Sequence, residues 1–586
     1  MSRTKRGLVP LAIIGMLLSA ACQPVEPVAT DADIIVIGAG IAGLAAALEA
    51  ESLGARVLVV EANSVAGGHA VKAHSLALVD TPLQRSRGFA DSPDKAYRDF
   101  MAWGEDADPW WLRSYAEASG EQVHDWLAGL GVRFTTLSAA PQASVPRLHA
   151  TQGSATRVVV PMIAEALRRP GITFLWNTEA TGLLRRDGRV RGVYTERSRT
   201  GSKRLYRTEA VILATGGQQS NLELVRRSWK RGQPLPARLL IGSGQYATGS
   251  GLRLAEPFGA AGTRLDQQDI AIDGLPDPRR PGHGLLVRNP AAIRVDATGR
   301  RFTNEAASGK VLTRAALALS PVTHWLLFDA AGARQLHISG APWLAGTNSQ
   351  RDILDNPALA SKADSIEALA IAAGLPPAAL VETVQRFNRF VDQGMDTDFG
   401  RIGPGMNGLR PSALRQPPFY AMQLYPMTRA SMGGLDIDHE ARVLGGAGQV
   451  IQGLFAAGEA TGVAGINGSH GGEGSFLGPA VFLGRIAARH AVALVAAVQD
   501  PAAPATPAAP SPAATAPSAG SPAAAAGLPE LLARQRRGYW HFGVSHALVM
   551  ERAAACDGCH RDGWDTTPAL SSEQQLVQLA SCTRCH

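Results

Sequence analysis

The stretch Asp31–Glu61, DADIIVIGAGIAGLAAALEAESLGARVLVVE, reads as strand, tight turn, helix and strand. Ile34-Ile35-Val36-Ile37 is a short β-branched run, Leu44 to Leu53 carries Ala and Leu at helical spacing, and Val57 to Val60 is a second apolar run that ends at Glu61. Between them Gly38-Ala39-Gly40-Ile41-Ala42-Gly43 has the spacing GxGxxG. In that frame Gly38 allows the sharp turn, Gly40 lets the backbone approach a pyrophosphate, and Gly43 lets helix and strand pack closely. A diphosphate then sits on the helix N-terminus, where free amide hydrogens and the helix dipole favour negative charge. Glu61 is placed to accept hydrogen bonds from ribose hydroxyls. The stretch predicts an α/β fold with a dinucleotide site at its first turn.

Outward from this unit, 586 residues are enough for several domains. Lys and Arg total 57 against 50 Asp and Glu, and the net charge of +7 is spread without a basic block, which argues against a nucleic-acid footprint. The chain begins like an export signal over 1–22: Arg3, Lys5 and Arg6, the apolar run Leu8 to Leu18, then Ser19-Ala20-Ala21 before Cys22. That run is short for a bilayer span. The small residues before Cys22 resemble a bacterial lipobox, with Leu18 one place further out than the usual pattern. Lipidation of Cys22, anchoring a periplasmic protein, and cleavage after Ala21, releasing one, both remain open.

After Glu61 come Gly67-Gly68-His69-Ala70, a Trp-rich helical region (Trp103, Trp110, Trp111, Trp126), and strands from Thr173 to Thr215 around a turn at Arg185-Arg186-Asp187-Gly188. The run ending Ala214-Thr215-Gly216-Gly217 is expected to return to the nucleotide-binding sheet. Residues 266–421 look inserted and carry Gly299-Arg300-Arg301-Phe302-Thr303-Asn304-Glu305, then helices at Ser365 to Ala373 and Pro377 to Val391. The chain then returns through Ser431-Met432-Gly433-Gly434, Gly453 to Glu459 and the glycine-rich Gly468 to Gly478, which opens a helix from Pro479 to Ala497. Residues 500–527 are almost wholly Ala, Pro, Ser and Thr, a composition that stays extended and cannot fold, so they read as a linker.

Residues 528–586 form a separate module. It holds Cys556-Asp557-Gly558-Cys559-His560 and Cys582-Thr583-Arg584-Cys585-His586, two CxxCH units that account for every cysteine but Cys22. In such a unit the thiols of Cys556 and Cys559, or Cys582 and Cys585, add to haem vinyl groups, and His560 or His586 becomes the proximal iron ligand. Two copies point to a small, mostly α dihaem cytochrome c, with a zinc knuckle as the alternative. His541 and His546 are the economical distal ligands, and Met550 competes for one of them.

Gly38–Glu61, Val211–Gly217, Arg300–Glu305, Met432–Gly434 and Gly453–Glu459 together resemble the flavoprotein superfamily of fumarate reductases and ketosteroid dehydrogenases, over roughly Asp31 to Ala497. The resemblance implies a Rossmann-like FAD-binding domain at 31–265 and 422–498, interrupted by an inserted α+β capping domain at 266–421. It implies hydride exchange with FAD across a carbon–carbon bond next to a carbonyl or carboxylate. Gly68, His69, Thr215, Gly216 and Glu459 would then join Gly38, Gly40, Gly43 and Glu61 around FAD. Gly68-His69-Ala70-Val71 also resembles the segment where membrane-complex fumarate reductases attach FAD covalently, and both modes of contact stay open. The dicarboxylate clamp of fumarate reductases is largely missing. Their proton-donating arginine falls among Ala306 to Lys310, their Thr-Glu pair on Gly284-Leu285, their histidine before T-M-G-G on Arg429, and their Asn-Arg pair on His470-Gly471.

The segment Gly468 to Ala480 is more similar to the ketosteroid dehydrogenases, in which an active-site tyrosine falls about where His470 stands. His470 is therefore the first candidate for acid–base work, since imidazole exchanges a proton near neutral pH. Arg429, Lys310 and His149 are weaker candidates for contact with a substrate anion. With two haems to hold the two electrons of one flavin turnover, the chain reads as an exported flavocytochrome c with a periplasmic or membrane electron-transfer partner. A respiratory enoate reductase and a non-catalytic flavin–haem relay are the competing readings.

Overall fold

The computed structural model describes residues 30–152, 156–345, 348–403 and 411–499. The leader with Cys22, the linker, and the C-terminal module with both CxxCH units, His541 and His546 lie outside the described residues.

Strand Ile34–Ile37 lies inside a six-stranded sheet whose order is Arg442–Leu444, Val450–Ala456, Ala210–Leu213, Ile34–Ile37, Val57–Val60, Ile172–Leu175. All pairs are parallel except the one made by the edge strand Arg442–Leu444. The four-residue runs at Ile34, Val57 and Ala210 are apolar at every position because both faces of a parallel sheet are covered. Helix Ile41–Ser52 begins three residues earlier than its Ala/Leu periodicity predicts. Against it lies the long helix Leu477–Gln499, with Gly484 so close that a Cβ there would stand 2.3 Å from the Ala42 carbonyl oxygen. Buried Glu49 locks the two helices by accepting from Arg485 Nε at 2.8 Å and Arg489 Nε at 2.6 Å. The expected turn at Arg185 to Gly188 is a tight hairpin with φ +52° at Asp187 and +72° at Gly188, the pair of positive angles that matches strand twist.

The second lobe is built on an eight-stranded sheet organised around one long strand, Phe419–Ser431. This strand pairs antiparallel with Gln268–Pro276, His324–Phe328 and Ser361–Ala363, and parallel with Leu240–Ile241. The 421/422 limit of the inserted span falls inside it. One core of this lobe joins Ile293 and Leu327 to Leu380, Val384 and Phe387 of helix Pro377–Gln393; another joins Leu285, Val287, Phe328 and Met422. The Arg300–Glu305 motif is spent on this lobe's interior. Arg301 donates to both oxygens of Glu305 at 2.8 Å and to Asp396 at 2.9 Å, and Arg401 stands 3.3 Å from Glu305, all four side chains being buried.

Candidate active site

The glycine turn has the shape a dinucleotide requires. Gly38 has φ +102°, and a Cβ on it would lie 2.4 Å from the Ala214 carbonyl oxygen; one on Gly43 would lie 1.9 Å from that of Gly38. Both positions are therefore closed to any side chain. At Gly40 a Cβ would meet nothing within 4 Å, so the helix N-terminus opens onto free space, and no side chain caps it. Uncapped first-turn amides facing an open volume are what a pyrophosphate needs. Glu61 is fixed at the strand end by the Ala39 amide at 2.6 Å and the Asn63 amide at 2.7 Å, and burial raises its pKa. Each of its oxygens keeps a second lone pair for a ribose hydroxyl.

The far wall of the cradle comes from three separate segments. Thr215 and Gly216 follow strand Ala210–Leu213, and Gly216, at φ +74°, faces open space. A Cβ at Gly217 would strike Ser431 Oγ at 2.1 Å and Glu459 Oε1 at 2.6 Å. Glu459 accepts from the Ser431 amide at 3.0 Å, and its other oxygen lies 3.6 Å from His69 Nδ1. His69 is set there by the short turn Gly68–Lys72, with φ +53° at Gly68.

The proposed acid–base and anion-contact residues separate into two groups. His470 and Lys310 come together across the two lobes. Lys310 Nζ stands 2.6 Å from Glu105 Oε1, Arg314 donates to both oxygens of Glu105 at 2.7 and 2.8 Å, and Arg314 also donates to His470 Nε2 at 2.8 Å. His470 Nε2 lies 3.5 Å from Glu105, and Lys310 donates to the Trp103 carbonyl at 2.7 Å. The two cations hold the Glu105 carboxyl down at about 2. Burial, Lys310 and Arg314 lower the pKa of His470 against the opposing pull of Glu105, so the imidazole is neutral at pH 7.

Arg429 is elsewhere, on strand Phe419–Ser431, with Nε 4.0 Å from Asp269 Oδ2. His149 is not an anion contact. It is wholly buried, its Nε2 is 2.7 Å from Thr81 Oγ1, its Nδ1 is 2.7 Å from the Arg147 carbonyl, and burial takes its pKa down to about 4. A neutral, fully bonded imidazole in a core has nothing to offer a substrate.

The sequence reading overlooks a set of basic side chains where the two lobes meet. Arg288 and His337 are direct cross-strand partners in the inserted lobe. Together with Arg429 they lower the pKa of His74, after burial, which is the larger cause. Lys72, whose Nζ donates to the Ser243 carbonyl at 3.2 Å, is lowered by burial and by Arg280, which itself donates to His283 at 3.0 Å. Among the described residues no carboxylate pairs within 4 Å with Lys72, His74, Arg280, His283, Arg288 or His337. Arg314 had a signal in the sequence, lying one helical turn beyond Lys310 on the same face. Glu105, Asp269 and the paired Arg288 and His337 had none.

A parallel sheet with this cradle, joined to a second lobe, is the architecture of a dinucleotide-binding flavoprotein. The FAD binding domain family matches residues 33–477, and the chain belongs to it. It is an FAD-dependent oxidoreductase acting on CH–CH bonds, with fumarate reductases and ketosteroid dehydrogenases as homologues. It is 32% identical over 468 residues to a fumarate reductase (cytochrome) of Shewanella frigidimarina, covering 78% of this chain and 76% of that one. It is 28% identical over 547 residues to a KsdD-like steroid dehydrogenase of Mycobacterium tuberculosis, covering 78% and 95%. Among solved structures it resembles the open conformation of a flavocytochrome c3 fumarate reductase, with a TM-score of 0.65, 28% identity and coverage of 79% and 78%.

Proposed function

We propose that this chain is an exported flavocytochrome whose substrate carries a carboxylate next to the carbon–carbon bond that is oxidised or reduced. The observation that carries this reading is that Arg288 of the inserted lobe and Arg429 both act electrostatically on His74 of the other lobe, while Arg288 pairs with no carboxylate among the described residues. Both arginine side chains are exposed, and the two guanidiniums can attract an anion there. A neutral steroid has no use for them. The fumarate-reductase clamp is replaced at each position named above, so a carboxylate would be held by a different set, Arg288 and His337 from the cap and His74 and Arg429 at its edge. Bound FAD supplies hydride exchange. The chain's part is to orient the anion, to exclude water when the lobes meet, and to hold them together through Glu105, Lys310 and Arg314.

Electrons would pass between FAD and two c-type haems on Cys556, Cys559, Cys582 and Cys585, with His560 and His586 as proximal ligands and His541 and His546 as distal ones. Two one-electron carriers match one two-electron flavin turnover, which favours a role with a periplasmic or membrane partner over a flavin relay without chemistry. The leader and Cys22 support export with a lipid anchor.

The test is an anaerobic visible spectrum of the whole protein. Fully reduced protein receives a panel of enoates and neutral enones, and oxidised protein receives the saturated counterparts. Haem reoxidation by an enoate, or haem reduction by a saturated acid, supports the reading and gives the direction. Response to the neutral enones alone refutes the carboxylate. No c-type haem spectrum refutes the flavocytochrome, and silence in both directions leaves the relay.

A further inference from the structure

One enclosed carboxyl group of the site has no partner that uses it. Asp269 lies on strand Gln268–Pro276, paired in register with Ala430, and the register shifts between Asp269 and Ile270. Such irregularities re-aim a side chain and recur beside active sites. Its partner Ala430 adjoins Ser431, whose amide donates to Glu459 in the cradle's far wall. Arg429 faces Asp269 from the neighbouring strand, Glu459 from the end of the nucleotide-binding sheet, and His69 from the turn after Gly68.

Three other buried carboxylates among the described residues spend their lone pairs on the fold. Asp91 takes both Nε and a terminal nitrogen of Arg147, Asp396 takes Arg301 and backbone amides, and Glu49 takes two arginines. Among the described residues no N–H or O–H hydrogen-bonds to the Asp269 carboxyl, and its nearest cation, Arg429, is at 4.0 Å, beyond hydrogen-bond reach. Its side chain nonetheless keeps 28% of its surface open to solvent. Burial and Glu459 raise its pKa above the ordinary carboxylate value despite the opposing pull of Arg429 and His69. His470 is differently placed, because its Nε2 already accepts from Arg314.

We infer that Asp269 is a further catalytic residue of this site, the group that exchanges with the substrate carbon the proton that accompanies hydride transfer. The inference rests on the CH–CH reading of the same site. In the reducing direction the C=C π bond breaks; bound FAD would supply the hydride to one carbon, and the other takes the proton of the Asp269 carboxyl. Asp269 is left as a carboxylate beside Arg429 and regains a proton from solvent, to which its side chain is open. Oxidation runs the same transfers in reverse.

The experiment uses the full-length holoprotein and compares Asp269→Asn, Asp269→Glu and His470→Gln, with whichever panel compound the wild type turns over. FAD content and chemical reduction of the flavin are read alongside turnover, and infrared difference spectra seek a protonated-carboxyl stretch that Asp269→Asn removes. The expected result is a loss of kcat of about 10²–10⁴-fold in Asp269→Asn, with FAD content and KM little changed. Asp269→Glu should recover part of it with a displaced pH profile, and His470→Gln should lose less than about tenfold. Asp269→Asn within tenfold of wild type, or without FAD, overturns the inference while leaving the reaction class standing. Absence of the Asp269-dependent infrared band overturns it too. A wild type silent on the whole panel overturns the proposed function and this inference with it.

Discussion

Lys310 Nζ stands 2.6 Å from Glu105 Oε1, and this contact joins helix Gly309–Leu317 of the inserted lobe to the residue that ends helix Pro93–Gly104 in the other. Glu105 makes it from an unusual backbone, φ +69° and ψ −51°, a conformation that costs a non-glycine residue of order 1–3 kcal/mol.

Replacing Glu105 by Ala should release the clasp without unfolding the protein. The carboxylate is 46% exposed, and ion pairs so exposed contribute about 0–1 kcal/mol, so the melting temperature should fall by about 2 °C or less. Lys310 and Arg314 should become trypsin sites, which peptide mapping after brief digestion will show. Unchanged cleavage there would refute the clasp. Acid should mimic the variant. The Glu105 pKa is about 2 in the fold against 4.5 ordinarily, so the clasp is fully charged above 4.5 and is lost as pH falls from there toward 2.

His149 gives a second pH dependence of stability. Its pKa falls from 6.5 to about 4 on folding, so the unfolded chain takes up a proton that the native imidazole refuses. Its contribution is complete above pH 6.5 and declines as pH drops toward 4, by at most about 1.4 kcal/mol per pH unit. Urea denaturation at pH 7 and pH 5 should show a smaller difference in His149→Gln than in wild type, although that variant is less stable at both.

Two glycines of one motif should respond in opposite ways. Gly43→Ala forces a Cβ to 1.9 Å from a carbonyl oxygen and should destabilise the protein even without cofactor, as read by the melting temperature of the apoprotein. Gly40→Ala meets no protein atom within 4 Å and should leave that temperature unchanged while lowering the FAD content of purified protein.

Arg301→Ala should be severely destabilising. It removes three hydrogen bonds from Glu305 and Asp396 in a buried setting, leaving Glu305 to Arg401 and Asp396 to backbone amides, and breaking a buried pair of this kind costs about 3–5 kcal/mol. FAD affinity of whatever folds should be unaffected, which a titration of the apoprotein with FAD would check.

The nucleotide cradle was legible in the sequence because its determinants are local. Gly38, Gly40 and Gly43 are fixed by a turn they make themselves, and Val57 to Val60 became a strand with the predicted limits. The contacts between distant segments were not legible, because they depend on pairing. Arg288 meets His337 through strand register, Asp269 meets Arg429 through another, and Arg314 meets Glu105 across 209 positions of chain. His149 misled for the converse reason, since nothing near it in sequence announces that Thr81 and the Arg147 carbonyl will take both ring nitrogens. The Arg300–Glu305 motif was a sound marker of kinship, yet its side chains serve the cap interior.

The strand Phe419–Ser431 bears on how such proteins can be recombined. One end pairs with cap strands through Phe419 to Leu424, and the other carries Arg429 and Ser431 to the cradle. The cap is therefore no detachable cassette. A chimera that exchanges residues 266–421 with a relative cuts this strand in mid-register, whereas crossovers placed outside Leu240 and Ser431 carry the whole sheet across intact.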